Sequence, residues 1–112
     1  MVDLWTGHYR YAGSDRLDVT VKGQHEFGKL FAPNWDMVMA VKNHGAKAHQ
    51  YYIDEYSKIL DNIPAWAWGA MLDTDVITLV CFCRQQDFCH RNLIVEYIVR
   101  TFPNVFYRGF RN

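Results

Sequence analysis

At 112 residues, half of them apolar and 16 % aromatic, the chain has the size of one domain, can bury a real hydrophobic core and is too hydrophobic for intrinsic disorder. Twelve Lys and Arg balance twelve Asp and Glu, so no overall field favours nucleic acid or an anionic membrane. No apolar run approaches the roughly 18 residues of a membrane-spanning helix, and the opening MVDLWTGHYR does not read as a signal peptide.

Three cysteines at 81, 83 and 89 form an odd, crowded set, and no Asn-x-Ser/Thr acceptor occurs. Both features fit reduced thiols and a cytoplasmic location better than an extracellular disulfide framework. Low net charge with many aromatics leaves a symmetric homodimer open. With no internal repeat and no linker, residues 1–112 read as a single α/β domain.

Val2 to Thr6 reads as a first strand that ends at Gly7. Leu17 to Val21 alternates as Leu-Asp-Val-Thr-Val and predicts a second strand, stopped by Lys22-Gly23. Phe27 to Pro33 is irregular, and Asn34 is a candidate cap for a short helix from Trp35 to Lys42. Tyr52, Ile53, Tyr56, Ile59 and Leu60 recur at helical spacing and predict a helix over 49–60. Pro64 opens another through Trp66, Trp68 and Met71.

Val76 to Cys83 is apolar on both faces, the mark of a central strand in a parallel sheet. A long helical pattern then runs to Phe102. Its polar stripe is Asn92, Glu96 and Arg100, with Leu93, Ile94, Tyr97, Ile98 and Val99 on the other sides. Pro103 ends it, and Val105 to Tyr107 reads as a last strand. This alternation predicts a three-layer sandwich with a mainly parallel central sheet, Rossmann-like in character.

In open parallel sheets, ligands sit beyond the carboxyl ends of the strands. One such end leads into Thr6, His8, Tyr9 and Arg10. The other leads from Cys83 through Arg84 and Asp87 to Cys89-His90-Arg91 at a helix start. Free backbone N–H groups and the helix dipole make that start an anion site, and Arg84 and Arg91 add forks of donors. Asp87 reads either as the helix cap or as the carboxylate that orients an arginine. The plainer assignment leaves Asp87 as a cap only and both arginines in solvent.

Here the chain resembles the family catalogued as domain of unknown function 488. The resemblance rests on Val76 to Cys83, then Asp87-Phe88-Cys89-His90-Arg91, then the apolar helix from Asn92 to Ile98. Phe31-Ala32-Pro33, Trp35 to Val38, and the Tyr52 and Tyr56 pair support it. It spans most of residues 29 to 102 and implies a small Rossmann-like α/β fold, with no assigned activity. The front third matches less distinctly.

Sharper chemistries compete for the same residues. Cys89 beside His90 at a helix N-terminus has the setting of an activated nucleophile. Phosphatase-type chemistry, however, needs an arginine at a fixed short spacing after the cysteine, and Asp87, Cys89 and Val95 stand at those places. Cys81 and Cys83 read as buried and inert.

Cys81, Cys83, Cys89 and His90 are also zinc-binding types. Against that, 81 and 83 would both have to face one way on a strand. His90 would point roughly 100° around the helix from Cys89, and there is no Cys-x-x-Cys pair. No metal and no cofactor are expected. Arg108 and Arg111 read as a solubilising tail and Asp73-Thr74-Asp75 as a turn. Lys22 and Lys42 read as solvated, and His25, His44 and His49 as unremarkable polar residues. No glycine-rich phosphate loop is present.

The sequence therefore points to a binding module, such as a sequestering protein, for a small anionic, nucleotide-derived molecule. Cys89, His90, Arg91, Arg84, Asp87, Thr6, His8, Tyr9 and Arg10 would surround that ligand. The alternative is a small enzyme acting on a nucleotide or nucleoside-type substrate, with His90 or His8 as acid–base and Cys89 as nucleophile. An adaptor that uses exposed tryptophans is a third class.

Overall fold

The computed structural model describes residues 1–23, 28–84 and 87–111. His25, Phe27, Gln85 and Gln86 lie outside the described residues. In chain order the elements are β1 (Val2–His8), β2 (Arg16–Asp18), α1 (Trp35–His44), α2 (His49–Asp61), α3 (Ala65–Met71), β3 (Val76–Cys81), α4 (His90–Thr101) and β4 (Val105–Arg111). Short 3-10 turns cover Gly28–Phe31 and Gly45–Ala48.

The four strands form one sheet in the order β2-β3-β1-β4, and every neighbouring pair is parallel. β3 is buried from Ile77 to Cys81 and lies inside the sheet, as its two-sided apolar pattern predicts. α4 lies against β1, β3 and β4; α2 packs on α4, and α1 on α2. Leu4, Phe31, Met37, Tyr56, Leu79, Ile94 and Ile98 are completely buried in the common core. The fold is an α/β Rossmann-like sandwich.

Local chemistry explains most element ends. Asn34 caps α1 by accepting from the Met37 N–H at 2.9 Å. Pro64 stands at the N-cap of α3, where its missing N–H costs nothing. The Tyr56 hydroxyl, buried in α2, donates to the Phe31 carbonyl at 2.5 Å and fixes the turn before α1 against the helical layer. On α4, Asn92, Glu96 and Arg100 face solvent as expected. Val99, expected on an apolar side, is exposed too.

Strand ends depart from expectation: β1 runs on to His8, β3 stops at Cys81 instead of Cys83, and β2 and β4 differ further. β2 stops at Asp18 instead of Val21, because Asp18 Oδ1 accepts from both the Thr20 N–H (2.9 Å) and the Thr20 hydroxyl (2.7 Å). That local bonding turns the chain out of the sheet. β4 runs on to Arg111, with a bulge where Leu4 pairs with Tyr107 but Trp5 with Gly109. Gly109 takes the positive φ of 126° that the bulge requires. Arg108 and Arg111 thus belong to a strand and not to a loose tail. Arg108 pairs with Asp3 at 2.8 Å, and the Arg111 guanidinium lies 4.0 Å from the Trp5 ring centroid.

Because all strands are parallel, their carboxyl ends share one edge. His8 stands beside Cys81 there, Asp18 beside Val80, and Gly7 beside Arg111. The residues singled out from the sequence gather along this edge. A recess of about 620 Å³ opens at the opposite edge, around Asp73, Thr74 and Asp75, which form the expected turn.

Candidate functional site

Arg91 organises the edge. Its side chain is completely buried on the first turn of α4. Nη1 donates to the Gly7 carbonyl at 2.8 Å and to the Cys83 carbonyl at 3.1 Å, and Nη2 donates to the Arg84 carbonyl at 3.0 Å. The guanidinium therefore ties the end of β1 to the loop after β3. The expectation that Arg91 projects from the sheet to hold an anion is corrected: its terminal nitrogens are occupied by backbone carbonyls. Its Nε is buried and has no hydrogen-bond partner among the described residues.

On the helical side of this strut lies a cavity of about 300 Å³. Thr20, Pro33, Val38, Lys42, Tyr52, Phe82 and Phe88 contribute to its walls, together with Cys81, Cys83, Cys89 and His90. The three cysteines are free thiols whose sulfurs all lie within 4.8 Å of one another, Cys81 and Cys83 at 3.9 Å. Cys81 ends β3 and Cys83 lies in the bend just after it, and their sulfurs meet there. Cys89, the N-cap of α4, brings in the third sulfur.

His90 is buried beside them. Its Nε2–H donates to the Val19 carbonyl at 2.5 Å, which leaves the Nδ1 lone pair 3.7 Å from Cys89 Sγ. Burial holds the imidazole neutral by lowering its pKa. Within the thiol cluster, hydrogen bonds from Cys83 and Cys89 lower the pKa of Cys81. The same bonds push Cys83 up to about 11 and Cys89 higher still. Cys89, buried and bonded to the other two sulfurs, is thus favoured as the protonated thiol. That is the opposite of the helix-N-terminus activation imagined for Cys89.

On the other side of the strut, His8, Arg10, Tyr11 and Arg84 line a cleft of about 520 Å³. The Arg10 backbone N–H donates to His8 Nδ1 at 3.2 Å, so Nε2 carries the imidazole proton. Asp87 does not cap α4. Its carboxylate accepts from the Arg84 backbone N–H at 2.9 Å and pairs with the Arg84 guanidinium at 3.2 Å. These backbone and side-chain bonds from Arg84 hold the Asp87 carboxyl below the usual range.

The single pocket expected from sequence is therefore two chambers. Cys89 and His90 face one; His8, Arg10 and Arg84 line the other, with Asp87 at Arg84. Thr6 belongs to neither lining: it is buried, with its hydroxyl 2.8 Å from that of Tyr107. Tyr9 stacks on Phe82 at 4.2 Å and carries the Arg16 guanidinium 4.7 Å from its ring centroid.

Sequence reasoning missed a third group on the opposite face of the sheet. Asp15 accepts from the Thr78 hydroxyl at 2.6 Å, from the Tyr11 hydroxyl at 2.6 Å and from Arg111 at 3.3 Å. Its members stand far apart in the chain, and no local pattern announces them.

A parallel α/β domain with two small chambers at the carboxyl edge of its sheet is the class that fold and site define. The family model DUF488-N3a, described as the active DUF488-N3 subclade, matches residues 4–101, and the chain belongs to that family. The match begins in β1 and so includes the front third. No curated protein and no solved structure matches the chain.

Proposed function

We propose that the protein is a binding module for a small anionic, nucleotide-derived ligand held in the cleft of His8, Arg10, Tyr11 and Arg84. The observation that carries this reading is that cleft of about 520 Å³ at the carboxyl edge, lined by Arg10, Arg84 and His8, with Arg84 paired to Asp87. Its size falls within the roughly 300–1,000 Å³ of small-molecule sites. Guanidinium forks suit phosphate oxygens, and the Tyr11 and His8 rings offer faces to a base. A reducing, cytoplasmic setting agrees with the three free thiols. A homodimer would use the exposed Phe106 and Tyr107 on edge strand β4.

Calorimetric titration with adenosine monophosphate, and with inorganic phosphate alone, tests the reading. Binding of the nucleotide should weaken by about tenfold or more in Arg10→Ala, the loss of one charge-assisted contact. Equal affinity in the variant overturns the assignment. The alternative, an enzyme with His8 as acid–base, draws support from the word active in the family description. Recovery of intact nucleotide after prolonged incubation favours the binder. Product formation that disappears in His8→Ala replaces it with the enzyme.

A further inference from the structure

We propose that Cys81, Cys83 and Cys89 form a zinc site, with His90 Nδ1 as the fourth ligand. A tetrahedral zinc with Zn–S bonds of about 2.3 Å and a Zn–N bond of about 2.0 Å sets S···S edges near 3.8 Å and an S···N edge near 3.6 Å. Cys81 and Cys83 sulfurs stand 3.9 Å apart, and Cys89 Sγ stands 3.7 Å from His90 Nδ1. All three sulfurs lie within 4.8 Å of one another, close enough to share one ion, and the imidazole reaches the group through Cys89.

The imidazole is already prepared. Its Nε2–H is fixed on the Val19 carbonyl, the outer-shell hydrogen bond that metal-binding histidines use to aim the other nitrogen.

Charge supplies an independent argument. Arg91 is completely buried, hydrogen-bonds only to carbonyls and makes no ion pair among the described residues. A buried cation without a counter-ion is costly. Three thiolates, one neutral imidazole and Zn²⁺ sum to one negative charge, which Arg91 balances beside the Cys83 carbonyl. Each thiol gives its proton to solvent as the ion binds, and nothing is oxidised.

The test uses the full chain, reduced and freed of metal with a chelator, then titrated with Co²⁺ under anaerobic conditions. The expected result is one Co²⁺ per chain, with sulfur-to-cobalt charge-transfer absorption and a tetrahedral visible band. One equivalent of Zn²⁺ should displace both signals. Cys83, half-buried, is the safest ligand to change: Cys83→Ser should keep the fold by circular dichroism and weaken Co²⁺ binding at least tenfold, with a smaller charge-transfer band.

A second readout needs no variant. One equivalent of Zn²⁺ should protect all three cysteines from alkylation, counted by mass. Absence of the charge-transfer band overturns the site, as does alkylation at the same rate with and without zinc. Unchanged cobalt spectra in Cys83→Ser also overturn it, by showing that the metal sits elsewhere.

Discussion

Arg91 Nη1 and the Gly7 carbonyl, 84 positions apart, meet at 2.8 Å and join the first turn of α4 to the end of β1. The same guanidinium holds the Cys83 and Arg84 carbonyls, so one side chain joins a residue that lines each chamber.

Arg91→Ala should therefore damage the fold before any binding. Hydrogen bonds to a charged group contribute about 1.5–3 kcal/mol each, non-additively, and their loss strands buried carbonyls. A loss of roughly 3–5 kcal/mol in urea unfolding is expected. Arg91→Lys should recover little, because one ammonium cannot span three carbonyls set for a planar fork. A wild-type midpoint in Arg91→Ala would show that the strut is dispensable.

Gly7 shows the close approach required where β1 meets β4. A Cβ added there would lie 2.9 Å from the Arg111 carbonyl oxygen and 3.2 Å from Thr78 Cγ2. The nearer atom is backbone and cannot rotate away, so β4 must shift. Gly7→Ala should cost about 1–3 kcal/mol by thermal unfolding, the usual penalty of overpacking. No change in melting temperature would mean that β4 yields freely at this point.

Asp15 predicts a pH dependence. Burial opposes its charge, but hydrogen bonds from Thr78, from Tyr11 and from its own backbone outweigh that, and Arg111 helps. Its pKa is lowered from the ordinary 3.8. The unfolded chain then takes up this proton at a higher pH than the native one. The stabilisation is fully present above about pH 4 and disappears as pH falls through the lowered native value. Asp15→Asn should be less stable than wild type at pH 6, and the two should converge toward pH 3. A constant difference in urea midpoint across that range would remove the carboxylate's charge from the explanation.

The sheet was legible because its signals are local. The two-sided apolar run at β3 marks an interior strand, and Asn34 and Pro64 punctuate helices where their chemistry demands. β2 was overextended because alternation in Leu17 to Val21 says nothing of Asp18 bonding back onto Thr20.

The site was half legible. Residues at the carboxyl edge could be named, since parallel strands bring their ends together. Burial of Arg91 depends on three carbonyls from two distant stretches, which no spacing encodes. The cysteine cluster draws on the end of β3, the bend after it and the N-cap of α4, an arrangement that no single spacing encodes.

Asp87 offers a test confined to the basic cleft. It pairs with Arg84 at 3.2 Å and draws that guanidinium away from any anion that enters. Asp87→Asn removes the competing charge yet keeps an oxygen for the Arg84 backbone N–H, now bonded to the carboxylate at 2.9 Å. The loop should hold its shape while Arg84 becomes free to turn toward His8 and Arg10. Phosphate or nucleotide affinity should rise a few-fold at low salt, and the gain should shrink as added salt screens the exposed charges. Arg84→Ala should move affinity the other way and should make the Asp87 substitution less effective, since no guanidinium then remains to be released. Were Asp87→Asn to leave affinity unchanged while Arg84→Ala lowered it, the ion pair would compete with no ligand, and Arg84 would bind the anion with Asp87 still attached.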